Sequence, residues 1–192
     1  MKTGRIEAFS DGVLAIVITI MVLELKVPHG SDLDALGPMV PLFLSYVLSF
    51  VYVGIYWTNH HHLFHATGEI GGGVLWANLA LLFCLSLVPV VTAWVGDHPR
   101  EPWPAALYGM VLLLCGLAWW VLERAILAHE GPRSELARVL GHKVKEKLAL
   151  VAYGIGIPLA FIRPWLAELI YACVALAWIV PDRRIESALR AG

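Results

Sequence analysis

Apolar runs near 20 residues recur along this chain, at about 5–27, 39–58, 73–95, 104–127, 146–162 and 164–181. Runs of that length limit the backbone to a few solutions, because hydrocarbon offers no hydrogen-bond partner and a helix satisfies its own. Of the 192 residues, 59% are hydrophobic and 15% are charged, against about 25% charged in a soluble domain. The mean hydropathy is +0.72. The expected fold class is an all-α membrane protein, with residues 1–192 forming a single six-helix transmembrane domain. The segments between spans carry turn residues or charge: PHGSDLDALGP, GDHPREPWP, the polar stretch 123–147, and FIRPW. The fifth run is short for a bilayer core of about 30 Å, and Pro89 and Pro158 predict kinks.

Lys and Arg are distributed unevenly between the two sides that six spans create. One side carries Lys2, Arg5, Arg124, Arg133, Arg138, Lys143, Lys145, Lys147, Arg183, Arg184 and Arg190; the other has Lys26, Arg100 and Arg163. Cytoplasmic loops collect such residues, so both termini are expected in the cytoplasm and the chain in the cell's inner (plasma) membrane. No small-x-small cleavage site follows the first apolar run, which is read as a span and not as a signal peptide. The net charge of −1 argues against a nucleic-acid partner. Cys84, Cys115 and Cys173 all lie in apolar runs and read as small buried hydrophobes. GEIGGG near residue 68 lacks the context of a nucleotide loop. No half-chain repeat is visible, so a symmetric pathway would need repeated subunits.

The first span poses a problem. Its uninterrupted apolar part, Gly12 to Leu23, makes a helix of only about 18 Å, too short to cross. Extension from Arg5 to Lys26 gives about 33 Å, and it places Ser10 and Asp11 within the membrane, roughly 9 Å from Arg5 along the axis. An ionisable group at that depth needs partners. Arg5 and Asp11 lie about 120° apart around the helix, so other elements must contribute. YWTNHHHLFH ends the second span with Trp57, Asn59, His60 and His61 on the same side, and LWANLALLF opens the third with Trp76 and Asn78. Their indole, amide and imidazole groups can satisfy a carboxylate and a hydroxyl. Such contacts lock helices together; a proton relay or ion site is the alternative. On the same helix Ile16, Ile20 and Leu23 form one stripe beside Thr19, which by periodicity alone is a lipid-facing or core stripe.

Other polar features have plain readings. His61 and His65 have the i, i+4 spacing of a two-imidazole metal face, but no further ligand accompanies them; His60, His61, His62 and His65 are assigned to polar contacts and water. HKVKEK suits a positive-inside loop and Glu168 a snorkelling carboxylate. Glu24 and Lys26 could form a charge pair at a pore mouth, although i, i+2 residues do not face each other on a helix. No Ser-His-Asp or Cys-His constellation has supporting context. No enzyme, resident cofactor or metal is expected.

Arg5, Phe9, Ser10 and Asp11 spell R-x-x-x-F-S-D. With DGVLAIVITIMVLEL, YWTNHHHLF and NLALLFCLSLVPVVTAW, this motif resembles prokaryotic members of the transmembrane protein 175 family, the lysosomal potassium channel family. The motifs cover the first half of the chain, and length and span count extend the resemblance to the rest. Members often have a basic residue where His62 stands. The resemblance implies a homotetramer of six-helix subunits with the first helix around a central pore, and no TVGYG pore loop. By distance from Asp11, it implies constrictions at Ile16, Ile20 and Leu23, with Thr19 near the first. Arg5, Phe9, Ser10, Asp11, Trp57, His60 and Asn78 would hold that helix in place.

The expected function is therefore a potassium-permeable cation channel of weak to moderate K+ over Na+ selectivity, passing K+ and other monovalent cations. Its partners would be copies of itself and membrane lipid. A ring of apolar side chains gates by excluding water and offers no carbonyl cage to replace hydration. Two other classes remain: a proton-coupled transporter using Asp11 and His60, and a non-transporting scaffold.

Overall fold

The structure, a computed structural model, describes residues 3–28, 30–68, 70–130 and 144–179. It consists of helices α1 (Gly4–Leu23), α2 (Val40–His65), α3 (Gly72–Ser86), α4 (Val88–Asp97), α5 (Pro102–Glu130), α6 (Val144–Ala160) and α7 (Pro164–Ile179). A 3-10 segment, Leu33–Met39, leads into α2. The helices α3 and α4 are two halves of one crossing, so the chain makes six passes. Four stretches are long and apolar enough to span a bilayer: Gly4–Leu23, Leu33–His65, Gly72–Asp97 and Pro102–Glu130. The last two helices are shorter, 17 and 16 residues, and join through a tight turn at 161–163.

Helix starts follow local chemistry. Proline lacks the N–H that the first turn leaves unpaired, and Pro41, Pro89, Pro102 and Pro164 all sit at or next to a helix start. Pro89 is also why the third crossing breaks: Leu87 keeps helical φ and ψ, but the turn tightens there and its N–H bonds to Cys84 O, three residues back, at 3.2 Å. Pro158 comes only two residues before α6 ends, so it accompanies a terminus. The second crossing continues to His65 beyond its apolar part, because the polar residues there find partners on neighbouring helices.

At the centre, α5 packs on α3, α4, α6 and α7, while α1 lies against α2, α3 and α4. Apolar burial gives little drive to helix association in lipid, so close fit between small residues takes its place. Ala105, Ala106, Ala149, Ala160, Ala167 and Ala175 are all buried. Gly109 of α5 and Gly156 of α6 together seat the ring of Tyr171 from α7; a Cβ on Gly156 would lie 2.5 Å from Tyr171 Cε1, and one on Gly109 would strike the phenol oxygen.

Passes successive in the chain run in opposite directions, so the second and fourth end on one side and the first and third on the other. Glu130 Oε1 at the end of α5 accepts from Gly68 N, just past α2, at 2.8 Å. At the opposite end Lys26 pairs with Asp97 at 3.8 Å. Of the basic residues used to assign sidedness, Lys2, Arg133, Arg138, Lys143, Arg183, Arg184 and Arg190 lie outside the described residues, as do His142 of HKVKEK and the end of the sixth span.

Candidate functional site

One face of α1 is committed to its own subunit. Ile6, Ser10, Leu14, Val17 and Met21 recur every three or four residues and are all buried, the spacing of a single helical stripe. The opposite face is not covered. Ile16 is 59% exposed, Ile20 43% and Leu23 79%, and Thr19 lies exposed among them. Thr19 Oγ1 donates to Ile16 O at 3.0 Å, so its proton is engaged on its own helix. Between Gly12 and Leu23 threonine is the one polar residue, and its remaining lone pairs are the only side-chain acceptors along that face.

Polar contacts fix the first half of α1. Asn78 Nδ2 of α3 donates to Ser10 Oγ at 3.0 Å, and Asn78 Oδ1 lies 2.8 Å from His60 Nε2 of α2. With the amide donating to Ser10, its oxygen accepts, and His60 carries its proton on Nε2. Ser10 and Asn78 are wholly buried and His60 nearly so. The His60 ring also rests on Phe64, with centroids 4.5 Å apart. A buried polar chain whose members are all bonded stabilises one arrangement of three helices and penalises others.

Asp11 belongs to a separate branch. Its Oδ1 accepts from Trp57 Nε1 at 3.0 Å, at the exposed margin between α1 and α2. One turn nearer the helix start, Glu7 Oε1 lies 3.9 Å from His61 Nδ1. His61 is stacked between Trp57 and His65, with ring centroids at 6.5 and 6.0 Å. No hydrogen bond joins Asp11 to His60 among the described residues, so a direct relay between them lacks its connecting step.

The subunit thus brings Ser10, Asp11, Trp57, His60 and Asn78 together, but not Arg5 or Phe9. Arg5 is exposed, and its side chain makes no hydrogen bond or ion pair to another described residue, while Phe9 is 55% exposed. Each precedes a buried residue, Ile6 or Ser10, by one position, which turns it about 100° away from the packed stripe. Trp76 is 76% exposed and also lies outside the cluster. Glu168 departs from simple snorkelling: it is half-buried, and its shielded Oε1 has no hydrogen-bond partner among the described residues.

A second polar group escaped the sequence reading. Ser49 bonds both Thr92 Oγ1 at 2.6 Å and Tyr108 Oη at 2.8 Å, tying α2 to α4 and α5. Nearby, Tyr52 Oη donates to Tyr171 O at 2.6 Å. The available signal was the stripe Ser45, Ser49, Tyr52 and Tyr56, at helical spacing within an otherwise apolar span.

Comparison with known proteins adds to this geometry. The family model described as endosomal/lysosomal potassium channel TMEM175 matches residues 5–89. The chain is 50% identical over 190 residues to a potassium channel of Chryseobacterium sp. (strain P1-3), covering 99% of each. It is 33% identical over 187 residues to a potassium channel of Streptomyces collinus, covering 91% of this chain and 90% of that one. The crystal structure of a lysosomal potassium-selective channel TMEM175 homolog from Chamaesiphon minutus matches with a TM-score of 0.78 at 28% identity, covering 93% of this chain and 96% of that one.

Proposed function

Because this chain belongs to the TMEM175 family, we propose that it is a subunit of a potassium-permeable cation channel that conducts passively. Four copies would surround an axis, each contributing the exposed face of α1. Ile16, Ile20 and Leu23 would form stacked apolar constrictions, and Thr19 would supply the polar oxygens between them. A pore of that kind closes by dewetting and opens when its tiers move apart. Without a carbonyl cage, its preference for K+ over Na+ would be weak to moderate.

The observation that carries this reading is the two-faced character of α1. Its buried stripe and polar anchor hold it to α2 and α3, while Ile16, Thr19, Ile20 and Leu23 remain uncommitted within the subunit. The Lys and Arg distribution supports cytoplasmic termini, with the polar anchor at the cytoplasmic end.

The test is ion flux in proteoliposomes. The purified chain should pass K+ down its gradient without any coupled pH gradient, and Ile16→Asn or Leu23→Ala should alter the conductance. Absence of K+ flux, together with no effect of either substitution, would overturn the assignment. Movement tied to a proton gradient and abolished by Asp11→Asn would instead identify a coupled transporter.

A further inference from the structure

At the outer end of α1, Lys26 turns away from Glu24. Its ammonium pairs instead with Asp97 at the end of α4, 3.8 Å away. Glu24 is exposed, and its carboxylate makes no hydrogen bond or ion pair with another described residue. It stands at the C-cap of α1 with helical φ and ψ, so the register of the helix runs on through it. Ile16, Ile20 and Glu24 then follow at i, i+4 and i+8 and share one face. Glu24 lies about 6 Å beyond Ile20 along the axis. The helix end adds charge of the same sign, since its unpaired carbonyls amount to roughly half a negative charge.

Basic charge on this side is tied down or set apart. Lys26 is held by Asp97, Arg100 is followed directly by Glu101, and Arg163 sits on the α6–α7 turn, whereas α1 lies against α2, α3 and α4. A tier of Ile and Leu side chains tells wet from dry but not cation from anion, and Thr19 offers only partial charge. Selection by sign therefore calls for a charged group beyond the tiers, and a ring of carboxylates at a pore entrance draws cations in and turns anions away. A free ammonium two residues further on would cancel it. We infer that Glu24 of each copy joins an acidic ring at the outer mouth of the pathway, which concentrates monovalent cations, and that the Lys26–Asp97 pair keeps the neighbouring ammonium out of it. The ring forms only if α1 faces a shared axis, so it rests on the pore reading above.

The test is single-channel recording from excised patches in about 20 mM and about 1 M KCl, where screening lengths are roughly 20 and 3 Å. In the dilute salt Glu24→Gln should lower the current entering from the outer side by about twofold or more, and the difference should fade in the concentrated salt. Glu24→Asp should keep the parent's current. Asp97→Asn, which frees Lys26, should also lower the dilute-salt current, and adding Lys26→Gln should restore it. If Glu24→Gln folds poorly, that second pair of variants carries the test. A parent without K+ current removes the pore reading and the ring together. A conducting parent that Glu24→Gln matches in dilute salt overturns the ring alone, as does a loss that persists undiminished in concentrated salt. Asp97→Asn without effect overturns the part given to the ion pair.

Discussion

The indole of Trp57 donates to the carboxylate of Asp11 at 3.0 Å, joining α2 to α1 where the first span turns from polar to apolar. This bond answers why an acid stands at that depth: the carboxylate holds the helix to its neighbour. Trp57→Phe keeps the ring and removes the donor. A hydrogen bond to a charged group contributes about 1.5–3 kcal/mol when shielded, and exposure of both residues places this one at the lower end. Thermal unfolding of the detergent-solubilised protein should show a modest drop in midpoint. Flux at constant protein should fall as α1 loses its orientation.

Asn78 has a larger expected effect. It bonds Ser10 on one side and His60 on the other, all three buried. Asn78→Leu would strand two polar groups at about 1–3 kcal/mol each. Ser10→Ala in that background should cost less than Ser10→Ala alone, because the hydroxyl has already lost its donor. A double-mutant cycle on melting data should give a coupling of about 0.5–3 kcal/mol; additive effects would contradict the bonded chain.

Substitutions along α1 should divide by face. Val17 is 3% exposed and Ile20 43%. Val17→Ala opens a void within the subunit and should lower stability by about 1–3 kcal/mol. Ile20→Ala should change stability by less, within about 0.5 kcal/mol, while raising K+ conductance by widening one tier of the proposed pore. Melting curves beside flux rates on both variants separate the two effects. A conductance change confined to Val17→Ala would contradict the orientation of α1 assigned to the pore.

Glycines on α6 should behave unequally. Gly156→Ala drives a methyl into the Tyr171 ring, whereas a Cβ on Gly154 meets nothing within 4 Å. Overpacking of this kind costs about 1–3 kcal/mol, and Gly→Ala at an open helical site gains about 0.5–1 kcal/mol. The two alanine variants should therefore shift the melting temperature in opposite directions.

Much of this arrangement was legible beforehand, for identifiable reasons. Span positions follow from hydropathy, because lipid tests every residue of a crossing. Trp57, His60 and Asn78 could be matched to Ser10 and Asp11 because all lie near the same end of the bundle. Rotation about a helix axis was harder to read. The stripe Ile6, Ser10, Leu14, Val17 and Met21 lies in a segment apolar on every side, so its buried face carries no contrast. Arg5 and Phe9 were placed in the anchor by the resemblance alone, and the subunit leaves both exposed outside it. The Ser49, Thr92 and Tyr108 contacts stayed hidden because a hydroxyl in an apolar helix does not indicate which neighbour it will meet.

Tyr171 works as a peg driven through two sockets. Because Gly109 and Gly156 close around one ring, α7 cannot slide lengthwise past α5 or α6 without first withdrawing it. Those three helices therefore move as a block at that level, and any gating displacement falls to the elements outside the block, with α1 the one bound least tightly along its uncovered side.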